Sequence, residues 1–152
     1  MRERILIVED NPFNLEMLCD WLMLQDYEIA TATTIAAAIS AMEKFQPDAV
    51  LLDIQLGAED GLTLAEWARR SPLFRQIPVI AVTAHAMMTD RDRILEAGCN
   101  TYVSKPIEFQ VLQEQLRKWL VISSVLKSAE QPVFVSPPKP SIKPFKEARD
   151  AK

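Results

Sequence analysis

The stretch Ile5-Leu6-Ile7-Val8-Glu9-Asp10 (ILIVED) decides the fold. Four apolar residues, three of them β-branched, run without a polar break and stop at two adjacent carboxylates. A continuous run of this kind fits a strand buried on both faces, as in parallel sheets, where an alternating pattern would mark a half-exposed strand. The pattern repeats downstream. Ala49–Leu52 is a second wholly apolar run and ends in Asp53; Pro78–Val82 is a third and is followed by Thr83. Tyr27–Thr31 and Thr101–Ser104 read as two further strands, the last followed by Lys105-Pro106.

Helical signals lie between these strands. Asn11-Pro12 supplies an N-cap and a first-turn proline for a helix to about Gln25, with Leu15, Leu18 and Leu22 on its inner stripe. Thr33 or Thr34 caps a second helix with Ile35, Ile39 and Met42 facing inward, stopped before Pro47. A loop holding Gly57 and Gly61 precedes a third helix, to about Arg70. A fourth runs on from the strand before Thr83 to Ala97 and closes at Gly98, and a fifth spans Ile107 to about Leu120 with Val111, Leu112, Gln115, Leu116, Trp119 and Leu120 on its stripe. Five βα units in succession predict an α/β fold: a doubly wound, five-stranded parallel sheet, (βα)5, with right-handed crossovers and helices on both faces.

Composition excludes several classes. The 152 residues are 49% hydrophobic and 25% charged, as in a globular protein. Nothing approaches ~18 consecutive apolar residues, so no membrane span is expected, and the absence of a signal-peptide core points to a cytoplasmic protein. Cys19 and Cys99 lack metal-ligand spacing and read as reduced packing residues. With His85 the single histidine, zinc would need unusual ligands. The net charge of −4 gives no footprint for nucleic acid, although residues 121–152 carry +3 and the first 120 therefore −7. Five of the ten prolines also fall in that last segment. Proline removes backbone donors, so residues 1–122 are expected to form the folded domain and 123–152 a Pro/Lys-rich disordered tail.

In open α/β sheets, sites lie beyond the carboxyl ends of the strands. Glu9, Asp10, Asp53, Thr83 and Lys105 all follow strands and would converge on one rim. Three clustered carboxylates with one ammonium need a further cation, and an all-oxygen donor set favours Mg2+. An aspartate beside Mg2+ and a lysine can act as a nucleophile toward phosphorus, with the hydroxyl and ammonium taking up charge on the phosphoryl oxygens.

Glu9-Asp10-Asn11, L-L-D-I-Q-L at 51–56, V-T-A at 82–84 and Y-V-S-K-P-I at 102–107 resemble the receiver domain of two-component response regulators, in order and spacing, over about residues 1–120. The resemblance implies a flavodoxin-like strand order 2-1-3-4-5 and a phosphorylation-dependent signalling switch. It makes Asp53 the phosphoacceptor and Glu9, Asp10, Asp53 and the Gln55 backbone carbonyl the Mg2+ ligands. Lys105 pairs with the phosphoryl group, Thr83 is the switch hydroxyl, Tyr102 the switch aromatic, and Lys105-Pro106 a candidate cis bond. Implied partners are a sensor histidine kinase or histidine phosphotransfer protein and a downstream protein target reached by the fourth helix, fifth strand and fifth helix. With no DNA-binding domain following, the chain would act as a single-domain regulator. Phe13, Met17, Trp21, Met23 and Leu24 exceed what one buried stripe needs, which leaves either coverage by neighbouring elements or a docking surface for the donor helix.

Two departures stand out. Family loops often carry proline four residues after the acceptor, where this chain has Gly57, followed by Glu59-Asp60; His85 reads as an exposed first-turn residue of the fourth helix that can influence access to Asp53. Competing readings are weaker. A Mg2+-dependent phosphohydrolase of the haloacid dehalogenase type needs an acid two residues past the nucleophile, and that position is Gln55. A nucleotide-binding domain would need a glycine-rich phosphate loop, and only three glycines are present. A non-phosphorylated pseudo-receiver scaffold would have no use for the complete set of acids.

Overall fold

The computed structural model describes residues 2–84 and 86–130. The apolar runs form the parallel strands of one sheet: β1 (Arg4–Val8), β2 (Glu28–Ala32), β3 (Ala49–Asp53), β6 (Val79–Thr83) and β7 (Thr101–Ser104). A two-stranded hairpin, β4 (Gln55–Leu56) and β5 (Glu59–Asp60), sits between β3 and the third helix. The helices are α1 (Pro12–Leu24), α2 (Ile35–Phe45), α3 (Leu62–Arg70), α4 (Met88–Glu96) and α5 (Phe109–Glu130). The large sheet is ordered β2-β1-β3-β6-β7, which is the expected 2-1-3-4-5 once the hairpin strands are set aside.

Alternation along each strand divides the core into two layers. Ile5, Ile7, Leu51, Ile80 and Val103 pack with Leu18 and Leu22 of α1 and Leu112, Leu116 and Leu120 of α5. Leu6, Val8, Val50, Leu52, Val79 and Ala81 face Met42 of α2, Leu64, Ala65 and Ala68 of α3 and Ile94 of α4. The helix starts follow from local chemistry. The Asn11 side chain accepts from the Asn14 amide at 3.0 Å with Pro12 in the first turn, and Thr34 accepts from the Ala37 amide at 3.1 Å. Gly98 adopts φ +110 after α4, the left-handed stop expected there.

Two boundaries and one buried position differ from the sequence expectation. The helix α4 begins only at Met88, with Met87 at the N-cap position and no side-chain cap. His85 therefore precedes the helix in sequence, and itself lies outside the described residues. Val111 is exposed on α5, whose buried line is Leu112, Leu116, Leu120 and Ser123. Finally, α5 continues ten residues past Leu120, so the boundary at 122 falls inside a helix. The segment Val121–Glu130 contains neither glycine nor proline; the prolines that suggested disorder begin at Pro132. The rest of the proposed tail, 131–152, lies outside the described residues. Among the described residues, no helix is long and apolar enough to cross a membrane.

Candidate phosphoacceptor site

Parallel register sets the rim of the sheet. Val8 lies opposite Leu52, Asp53 opposite Val82, and Thr83 opposite Ser104, so the residues following β1, β3, β6 and β7 emerge side by side. Glu9 remains tied to the ladder through its amide, which donates to the Ala32 carbonyl at 3.0 Å. That tether holds the Glu9 side chain inward, 2% exposed, while Asp10 turns out to solvent. Asp53 is 5% exposed. Glu9, Asp10 and Asp53 each present a carboxylate oxygen within 4.8 Å of the others.

Lys105 is the cation facing this cluster. Its ammonium lies 2.8 Å from Asp53 Oδ2 and 3.4 Å from Glu9 Oε1. Its amide donates to the Thr83 carbonyl at 2.8 Å, and the Lys105-Pro106 peptide bond is cis. The other oxygens take backbone donors: the Gln55 amide reaches Asp53 Oδ1 at 2.9 Å, and the Asn11 amide reaches Glu9 Oε2 at 3.1 Å. Burial pushes the Glu9 carboxyl up to about 7, reinforced by its hydrogen bond and repulsion with Asp53 and opposed by the Asn11 amide and Lys105. For Lys105, burial opposes the charge, but hydrogen bonding and attraction to Asp53 and Glu9 outweigh it and hold the ammonium above its ordinary value. One ammonium against three carboxylates leaves a deficit that a hard divalent cation with oxygen ligands would fill.

The structure thus brings Glu9, Asp10, Asp53 and Lys105 together. Thr83 is buried on the neighbouring strand end, and Gln55 is exposed with its amide on Asp53. Tyr102 lies three residues before Lys105, half-buried, with the Arg91 guanidinium 5.7 Å from its ring centroid. Sequence reasoning missed the β4–β5 hairpin and what it holds. Asp60 Oδ1 accepts from the Leu62 amide at 3.0 Å, Asp60 Oδ2 pairs with Arg93 at 3.1 Å, and Glu59 Oε1 accepts from the Ile35 amide at 3.1 Å. The available signal was Gly57-Ala58, a two-residue hairpin loop whose glycine takes φ +59.

A doubly wound sheet with a buried aspartate, two companion carboxylates and a lysine at its carboxyl rim defines the class as an aspartate-centred α/β domain. The chain belongs to the response regulator receiver domain family, whose model matches residues 5–117. It is 37% identical over 120 residues to the polar-differentiation response regulator DivK of Brucella ovis, covering 79% of this chain and 98% of that protein. The receiver domain of the sensor histidine kinase PA1611 from Pseudomonas aeruginosa PAO1, solved with a magnesium ion coordinated in the active site cleft, is 33% identical, with a TM-score of 0.73 over 79% of this chain and 98% of that one. A CheY-like receiver domain from Methanospirillum hungatei JF-1 is 28% identical, with a TM-score of 0.76 over 83% and 99%. The protein is accordingly a component of two-component signalling, the setting in which receiver domains work with histidine kinases or phosphotransfer proteins and with downstream targets.

Proposed function

We propose that this protein is a phosphorylation-dependent switch that accepts a phosphoryl group on Asp53 from a phosphohistidine donor, with Mg2+ held by Glu9, Asp10, Asp53 and the Gln55 backbone carbonyl. The observation that carries this reading is the Asp53 carboxylate, buried yet bonded to Lys105 at 2.8 Å within a cluster of three acids. A carboxylate oxygen of Asp53 attacks phosphorus; the new P–O bond forms as the P–N bond breaks, and the imidazole leaves with its electron pair. Lys105 orients the acceptor beforehand and then meets the phosphoryl oxygens. Mg2+, when bound, offsets the negative charge that the carboxylates and the phosphoryl group bring together. Turnover ends at a slowly self-hydrolysed acyl phosphate, because position 55 offers an amide and no acid.

Phosphorylation adds roughly −1.5 to −2 charges at the end of β3. Thr83 and Lys105 can bond phosphoryl oxygens only in that state, which supplies the differential free energy a switch needs. Tyr102 follows Thr83 inward, and the α4–β7–α5 face changes for a downstream protein in the cytoplasm. The exposure of Phe13 (73%) and Leu24 (82%) on α1, with Trp21 stacked on Phe109 at 4.9 Å, supports α1 as the surface for a histidine kinase or phosphotransfer helix. The test is incubation with acetyl phosphate, with and without Mg2+, followed by intact-mass measurement. A gain of one phosphoryl group that needs Mg2+ and is abolished by Asp53→Asn is expected; an unlabelled protein under these conditions overturns the reading.

A further inference from the structure

The helices α3 and α4 have the same length but very different anchorage. Nine residues of α3 bury Leu62, Leu64, Ala65 and Ala68, whereas nine residues of α4 bury Ile94. Met88 and Leu95 of α4 lie exposed, and no side chain caps its start. Two arginines reach out from it instead. Positions 91 and 93 lie about 200° apart around a helix, so they serve opposite flanks. Arg91 covers the Tyr102 ring on β7, and Arg93 grips Asp60 of the hairpin.

The Arg93 contact is continuous with the acceptor. Asp53 Oδ1 accepts the Gln55 amide at 2.9 Å. Gln55 is the antiparallel partner of Asp60, and Asp60 Oδ2 holds Arg93 Nη1 at 3.1 Å. The hairpin is also pinned on its other sides, to α2 through Glu59 and to α3 through the Leu62 amide on Asp60. A change at Asp53 that pulls on Gln55 must therefore move a small, cross-braced unit that holds Arg93 through Asp60.

The geometry points to the acidic β4–β5 hairpin as a coupling element, with Asp60 and Arg93 as positioning residues that transmit the state of Asp53 to α4 by a route separate from Thr83 and Tyr102. Its biological meaning rests on Asp53 being the phosphoacceptor; its physical content is that position 53 and α4 are energetically coupled through the Asp60–Arg93 pair. The substitution of Gly57 and Glu59-Asp60 for the proline-bearing loop then has a purpose. A two-residue glycine turn allows a hairpin, and the hairpin presents the acid to α4.

Hydrogen exchange of the α4 amides in the full chain tests this without metal or phosphodonor, so that it stands or falls independently of Asp53 phosphorylation. Arg93→Gln is expected to speed α4 exchange roughly two- to fivefold, the range of an exposed ion pair. Asp53→Ala, which releases the Gln55 amide, is expected to speed it as well, and to lose most of that effect in the Arg93→Gln background. Asp60→Asn, which keeps an oxygen for the Leu62 amide, should reproduce the Arg93→Gln result, and Arg93→Lys should retain the coupling. Equal effects of Asp53→Ala in both backgrounds, or α4 exchange unmoved by Arg93→Gln and Asp60→Asn, overturn the proposal.

Discussion

Replacing Glu9 with glutamine is expected to stabilise the metal-free protein at alkaline pH and to weaken its response to Mg2+. Glu9 is 2% exposed, beside Asp53, and its carboxyl is pushed from an ordinary 4.5 up to about 7. A group whose folded value is raised contributes stability that is fully present below its unfolded value and lost as pH rises through the folded one. For Glu9 the loss begins near pH 4.5 and is complete above about pH 7. The gap between those values corresponds to on the order of 3 kcal/mol. Urea unfolding of both chains in a chelator should therefore show Glu9→Gln ahead by roughly 2–3 kcal/mol at pH 8, shrinking to about 0.5 kcal/mol or less at pH 4.5. Mg2+ at roughly a thousandfold excess over its Kd should reverse the order, since it then adds about 4.1 kcal/mol to the chain that binds it. If the two chains track each other at every pH, Glu9 is not desolvated as described and the reasoning fails.

Other perturbations probe the frame around the acceptor. A Cβ on Gly61 would run into the Asp53 carbonyl oxygen and come within 2.8 Å of Ile54 Cα, so Gly61→Ala should cost roughly 1–3 kcal/mol in thermal unfolding and slow labelling of Asp53. Lys105→Met leaves the Asp53 and Glu9 oxygens without their ammonium; with Lys105 partly solvated, a loss of about 1–3 kcal/mol in the metal-free protein is expected, together with loss of labelling by acetyl phosphate. Burial pushes the Cys99 thiol up to about 12, against the opposing pull of Arg69. Its stabilising contribution holds below its ordinary value of 9.0 and fades as pH rises toward 12, and at pH 8.5 iodoacetamide should modify Cys99 only after unfolding, as read by mass.

The sheet was legible because strands buried on both faces leave an unmistakable trace: Ile5–Val8, Ala49–Leu52 and Val79–Val82 contain no polar residue. The polar residues closing those runs located the site for the same reason, since a charge after a buried strand has few places to go except the rim. What escaped notice depended on weaker or longer-range causes. Glu59 and Asp60 look like a solvated acidic loop until the hairpin sets them against Ile35, Leu62 and Arg93. The extent of α5 is obscured in the sequence by the prolines that begin at Pro132, just past the helix end at Glu130. The start of α4 at Met88 carries no side-chain cap, so the sequence holds no local signal for it.

Mapping the label along the chain shows which carboxylate receives the phosphoryl group. Protein treated with Mg2+ and acetyl phosphate would be reduced with borohydride, which converts an acyl phosphate on aspartate to homoserine, and its peptides sequenced by mass. Homoserine at position 53, absent when Mg2+ is withheld, is the expected result. Homoserine at position 10 with Asp53 intact, or a reduced glutamate at position 9, would contradict the account.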